Sequence, residues 1–179
     1  GRIIAFCSFC SFSEREKEVY RIAVKEFDKI RRKYFAACGN ARKDSMFRIL
    51  QQLLLLLKIC ADPSLAYEYD SNEIPTKVKK AIRLLQMWKY EKVAIGVRRI
   101  EVADSYYRYL KQAFPERQIF YITGDKVPCK QRQRIVEKLR KTENGILLST
   151  QQSLSESMNI DDVDKIILPE LHYNHAAME

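Results

Sequence analysis

Three apolar runs in the second half of the chain each end in residues suited to holding a phosphate. Val93-Ala-Ile-Gly-Val97 is followed by Arg98 and Arg99, Ile119-Phe-Tyr-Ile122 by Thr123 and Gly124, and Gly145-Ile-Leu-Leu148 by Ser149 and Thr150. A guanidinium donates in a fork that matches phosphate oxygens, a hydroxyl or free backbone amide donates once, and glycine lets backbone approach closely. Donors of this kind contact a sugar-phosphate backbone without reading its bases. Each also has a structural alternative: Thr150 stands where it would cap a short helix, and of the two arginines one can be solvated and one can pack its stem on neighbouring apolar surface.

A basic tract follows, Lys126, Lys130, Arg132, Arg134, Lys138, Arg140 and Lys141, in which Glu137 is the only acid. Laid on a helix these cations point several ways, so only a subset can line one groove. Lys29, Arg31, Arg32 and Lys33, and further on Lys77, Lys79 and Lys80, read as solvated helix faces or as the outer wall of a duplex-binding cleft. Cys7-x-x-Cys10 and His172-x-x-His175 are zinc-ligand types, but the pairs stand at opposite ends of the chain, and the cysteines are better explained as apolar fillers. Both histidines lie in one C-terminal stretch, so no nucleophile has a placed general base.

The elements that must position these groups follow from period. Ser13 begins a helix, with Glu16 completing a capping box, and Val19, Ala23, Phe27, Ile30 and Tyr34 recur at helical spacing up to a left-handed stop at Gly39. A second helix over 44–60 carries leucines all round, which predicts burial on most sides, and Asp62-Pro63-Ser64 ends it. Residues 66–75 lack period and serve as a linker before a helix over 76–89. From residue 92 strands over 93–97, 118–122, 145–149 and 165–168 alternate with helices over 101–114 and 131–141. Single helices between strands imply right-handed crossovers and a mainly parallel sheet with helices on both faces, whose ligands sit at the strands' carboxyl ends.

Composition narrows the partners. A chain of 179 residues accommodates one α/β domain with an extra helical piece, and a net charge of +9 favours a polyanion, either nucleic acid or an anionic membrane surface. The apolar stretch over 50–61 is interrupted by Gln51, Gln52 and Lys58 and is too short to cross a bilayer, so no membrane role is expected. Five scattered cysteines without a secretory leader read as reduced thiols of an intracellular protein, with the cytoplasm preferred and the nucleus left open. Gly1 and Glu179 both look like cut ends, and the chain reads as an excerpt of a longer parent.

In order along the chain, Lys58-Ile-Cys-Ala-Asp-Pro63 closing a helical front, Ser71 to Lys77 before a helix, the strand near residue 95, Thr-Gly124, Arg132-Gln133, Leu-Ser-Thr150 and Asn159-Ile160 resemble the C-terminal, second RecA-like motor lobe of Swi/Snf-type superfamily-two helicases and translocases. The resemblance covers nearly the whole chain and lies in the order and spacing of several short motifs. It implies a RecA-like α/β fold preceded by a helical segment, divided into a helical front and linker at 1–75 and a helicase core at 76–179 that is truncated at its C-terminus. It further implies that nucleic acid, duplex DNA in the first place, is held by Arg98, Arg99, Thr123, Gly124, Lys126, Arg132, Ser149 and Thr150, while Glu156, Ser157 and Asn159 face an ATP cleft. ATP and Mg2+ would then come with a first RecA-like lobe of the same parent.

No G-x-x-x-x-G-K-[ST] loop is present, since none of Gly39, Gly96, Gly124 or Gly145 is followed by Lys and a hydroxyl, and there is no acidic Walker B box. The family's charge-stabilising arginines would lie just beyond His172-Tyr-Asn-His-Ala-Ala177, where the chain stops. The resemblance thus implies an ATP-dependent enzyme only within the parent, with the chain alone inactive. Gln151-Gln-Ser-Leu-Ser-Glu-Ser157 departs from the family, with serine in place of the glycine before Met158 and Asn159, and Pro169-Glu170 replaces its aspartate-containing strand end. The alternative is a non-catalytic nucleic-acid or protein-binding platform on the same fold; a small-molecule enzyme is disfavoured because no G-x-G-x-x-G is present.

Overall fold

The computed structural model describes residues 10–65, 73–123 and 127–170. Two compact units divide the chain inside its third helix, Gly1–Lys80 and Ala81–Glu179.

The first unit is built on α1 (Glu14–Ala36) and α2 (Asn40–Ala61). Helix α1 starts as its sequence requires: the Ser13 hydroxyl accepts from the Glu16 backbone N–H at 3.2 Å and the Glu16 carboxylate accepts from the Ser13 N–H at 3.3 Å, which satisfies two otherwise orphaned donors. Val19 and Ala23 then pack with Leu56 and Ile59 of α2 in a small core ringed by Tyr20, Val24, Phe27 and Leu55. Glu16 is almost wholly buried because it has a further task. Its other oxygen accepts from the Thr76 N–H at 2.6 Å and the Thr76 hydroxyl at 2.9 Å, fixing the start of α3 (Thr76–Met87).

Two expectations for this unit are corrected. Gly39 does adopt a positive φ of 61°, but as the residue preceding α2; α1 has already stopped at Ala36. Helix α2 is not buried on most sides: Met46, Phe47, Leu50, Leu53 and Leu54 are all exposed, because α1 covers only the stripe marked by Leu56 and Ile59. The helix does end at Asp62-Pro63-Ser64, where the Asp62 carboxylate accepts from both the Ser64 N–H and its hydroxyl. No helix among the described residues is long and apolar enough to cross a membrane.

The second unit is a four-stranded parallel sheet in the order β2-β3-β1-β4, with β1 at Val93–Val97, β2 at Ile119–Ile122, β3 at Ile146–Thr150 and β4 at Lys165–Ile167. The connections are α4 (Ile100–Ala113), α5 (Cys129–Arg140) and α6 (Gln151–Ser157), the last being the short helix that Thr150 was placed to cap. The chain moves one way across the sheet from β1 to β2 and the other way from β2 through β3 to β4, so right-handed crossovers put α4 on one face and α5 with α6 on the other. Alternation along the strands matches: Ala94, Ile122 and Leu147 join Val136, Leu139 and Leu154 in one core, while Val93, Ile95 and Val97 turn to the face where Val102, Tyr106 and Leu110 of α4 are buried. This is the mixed α/β, mainly parallel arrangement with a helical segment ahead of it that the sequence predicts.

Arg117 secures the opposite, amino-terminal edge of the sheet. Only 8% exposed, it donates through Nη1 to the Leu85 carbonyl at 2.9 Å, through Nη2 to Trp88 at 3.1 Å and Glu91 at 2.7 Å, and through Nε to Asn144. One guanidinium thereby holds the end of α3, the lead into β1 and the lead into β3.

Candidate nucleic-acid interface

Parallel register aligns the carboxyl ends of the three strands that carry the candidate donors. Ile122 stands beside Ser149 and Val97 beside Thr150, so Thr123 and Thr150 come level along one edge, with Arg98 one residue beyond them. Within this row the groups differ in availability. Ser149 is fully buried and its hydroxyl donates to the Thr150 carbonyl at 3.1 Å, which leaves it behind the surface. Thr150 caps α6, accepting from the Ser153 N–H at 3.4 Å and donating to the Ser153 hydroxyl at 3.0 Å, yet stays partly exposed. Thr123 is 5% exposed and its carbonyl accepts from the Val127 N–H at 3.2 Å, while Gly124 and Lys126 lie outside the described residues.

Arg99 and Arg132 are each matched by an acid. Arg99 Nη1 approaches Glu170 Oε1 at 3.4 Å, and the other oxygen of that carboxylate accepts from the Arg98 N–H at 2.9 Å. Arg132, at the start of α5, donates through Nε to the Val127 carbonyl at 2.8 Å and through Nη1 to Glu156 of α6 at 2.9 Å. Two residues expected at separate sites, one on nucleic acid and one in the ATP cleft, thus meet in an ion pair.

Two turns farther along α5, Arg140 holds Asp162 through Nε at 2.6 Å and Nη2 at 3.3 Å, and Asp162 also accepts from the Asn159 N–H at 2.8 Å. The Arg140 guanidinium keeps the Asp162 carboxyl below its ordinary range, against the opposing pull of burial. Asn159 is therefore placed by a pair that sequence reasoning missed. The signal was available: Arg132 and Arg140 are eight residues apart, which puts both on one face of α5. Ser157 completes this corner with a hydroxyl that is buried and lacks a hydrogen-bond partner among the described residues.

Among the described residues no group of three or more His, Cys, Asp or Glu side chains could hold a metal ion; Cys7, His172 and His175 lie outside them. Cys10, Cys38, Cys60 and Cys129 are free thiols.

The family model of the helicase conserved C-terminal domain matches residues 76–179, more than half of the chain. The chain belongs to the helicase conserved C-terminal domain family. Its fold is shared with the Sulfolobus solfataricus SWI2/SNF2 ATPase C-terminal domain, at a TM-score of 0.69 and 16% identity over 90% of this chain and 69% of that one. The S. solfataricus SWI2/SNF2 ATPase core in complex with double-stranded DNA superposes with a TM-score of 0.67 and 18% identity, over 86% of this chain and 32% of that core. The C-terminal part of the Fun30 ATPase domain gives 0.53 and 16%, over 91% and 54%. The chain thus spans about a third of the DNA-bound core's length and about half of the Fun30 fragment's. At these identities the likeness establishes the fold. No curated protein matches the chain.

Proposed function

We propose that this helicase domain is the second motor lobe of an ATP-dependent nucleic-acid translocase, gripping the phosphate backbone at the carboxyl edge of its sheet and closing on ATP held by a first lobe. The observation that carries this is the gathering of Thr123, Thr150 and, one residue beyond them, Arg98 at one edge by the β2-β3-β1 register in a chain of this family. The net charge of +9 supports a polyanionic track, and the DNA-bound state of the S. solfataricus relative favours duplex DNA. Contacts of this kind hold backbone and carry no sequence preference.

The corner formed by Glu156, Ser157 and Asn159 fits the nucleotide side of such a cleft, because the unpartnered Ser157 hydroxyl is a donor that a phosphate or ribose oxygen would satisfy. ATP with Mg2+, when held there by the first lobe, would supply a phosphoryl group whose transfer to water would release the closed state. Helix α6 runs from its cap Thr150 through Gln151–Ser157, so it links the backbone-facing edge to this corner within two turns. The Arg132–Glu156 pair braces its far end against α5 and, through Val127, against the loop that leaves β2.

The test is ATP hydrolysis by the intact parent protein with and without duplex DNA, single-stranded DNA and RNA. Stimulation by one of them is expected. No stimulation by any would sink the motor and favour the non-catalytic platform, for which the helical α6 in place of a glycine loop is the supporting observation.

A further inference from the structure

At the turn after β1 an anion is already in place, and it belongs to the protein. Glu170, just beyond β4, presents one carboxylate oxygen to the Arg98 N–H at 2.9 Å and the other to Arg99 Nη1 at 3.4 Å. The carboxylate is only 9% exposed and the guanidinium 19%. Gln151 fixes the approach: its side-chain amide donates to the Glu170 carbonyl at 2.7 Å and to the Gly96 carbonyl at 3.4 Å. The missing side chain at Gly96 makes room, since a Cβ there would stand 3.1 Å from Leu168 and 3.3 Å from the Gln151 Cγ. Four segments, the end of β1, the start of α4, the start of α6 and the end of β4, therefore converge to seat one carboxylate.

A carboxylate and a phosphodiester offer this turn the same thing, one negative charge shared by two oxygens that accept from an amide and a guanidinium. Both cannot occupy it, because two like charges at hydrogen-bond separation repel strongly in a partly buried site. We infer that Glu170 is an internal competitor for the phosphate at the Arg98–Arg99 turn, so that this one residue sets how tightly the domain grips a nucleic-acid backbone. The inference rests on the proposed backbone contact. The Arg99 contact is single and long, and is the half of the lock that a phosphate displaces first. A grip tempered in this way suits a lobe that must release and rebind at each step.

The deciding variant is Glu170→Gln, which keeps the shape and an acceptor for the Arg98 N–H but removes the charge. Its affinity for a duplex oligonucleotide is expected to rise about three- to tenfold at low salt, with a dependence on log salt steeper by roughly 0.9, the value for one added phosphate contact. Adding Arg99→Ala to Glu170→Gln should abolish the gain. A second readout needs no nucleic acid: inorganic phosphate should raise the Tm of Glu170→Gln more than that of the unaltered domain, relative to chloride at equal ionic strength. Unchanged or weaker duplex binding by a folded Glu170→Gln, or equal phosphate shifts in the two proteins, overturns the inference. If the phosphate shift is found and neither protein binds duplex, the anion position stands and the backbone grip is what fails. Should Glu170→Gln not fold, Glu170→Asp retains the charge but withdraws from Arg99, and it must show a smaller gain in the same direction; no gain overturns the inference.

Discussion

Arg117 ties three segments of the second unit together, and nothing in Pro115-Glu-Arg117 marks it. An arginine in a polar turn ahead of a strand reads as a surface cation, and its role arises only because the carbonyls of Leu85, Trp88, Glu91 and Asn144 converge on it. Burial holds its pKa below the usual value, although with no base strong enough nearby it stays charged. Replacing Arg117 by Met leaves four carbonyls without their donor and should cost about 2–4 kcal/mol, read as a lower urea midpoint with unchanged m-value. Asp162 gives a pH test. Its native pKa lies below the ordinary 3.8, so the stabilisation from Arg140 is present above that value and is lost as pH falls through the lowered native pKa. The Tm advantage over Asp162→Asn should thus be present near neutral pH and shrink steadily at about pH 4 and below. An advantage that persisted at about pH 2 would mean that Arg140 does not act through the carboxylate's charge.

Among the elements, those whose stability comes from local signals were legible. The Ser13-x-x-Glu16 box placed the start of α1, and unbroken β-branched and leucine runs placed β1 and β3 to within a residue. Helix α2 was misjudged because leucines around a helix state only that the helix is apolar, while its neighbours decide which leucines are covered. Ile59→Ala, in the α1–α2 core, should cost about 2–4 kcal/mol, whereas Leu54→Gln on the exposed face should change stability by less than about 0.5 kcal/mol; urea unfolding of the two variants checks the difference. Helix α6 is the short helix that Thr150 was placed to cap. Gln151 to Ser157 has weak intrinsic helix preference, and it is held by the Thr150 cap at one end and by Leu154 inserted into the sheet's core.

For the whole molecule, a grip on two or three phosphates predicts weak duplex binding by the chain alone that falls roughly 10- to 40-fold between about 50 and 200 mM salt. Filter or anisotropy titrations at several salt concentrations measure the slope, and a flat response would contradict phosphate gripping. The order of strands and helices, the parallel sheet and the family were all present in the one-dimensional pattern, because burial period and motif spacing are properties of neighbouring residues. The positions of Arg98, Arg99, Thr123 and Thr150 at strand ends were legible for the same reason. What only the folded chain decided is which of these groups are already engaged. Glu170 on Arg99, Glu156 on Arg132 and Asp162 on Arg140 are pairs separated by 71, 24 and 22 residues. Electrostatic partnership depends on distance in space: folding brings Glu170 to Arg99 where β1 ends, and Asp162 to Arg140 where α5 ends, on the side of the sheet where β1 begins.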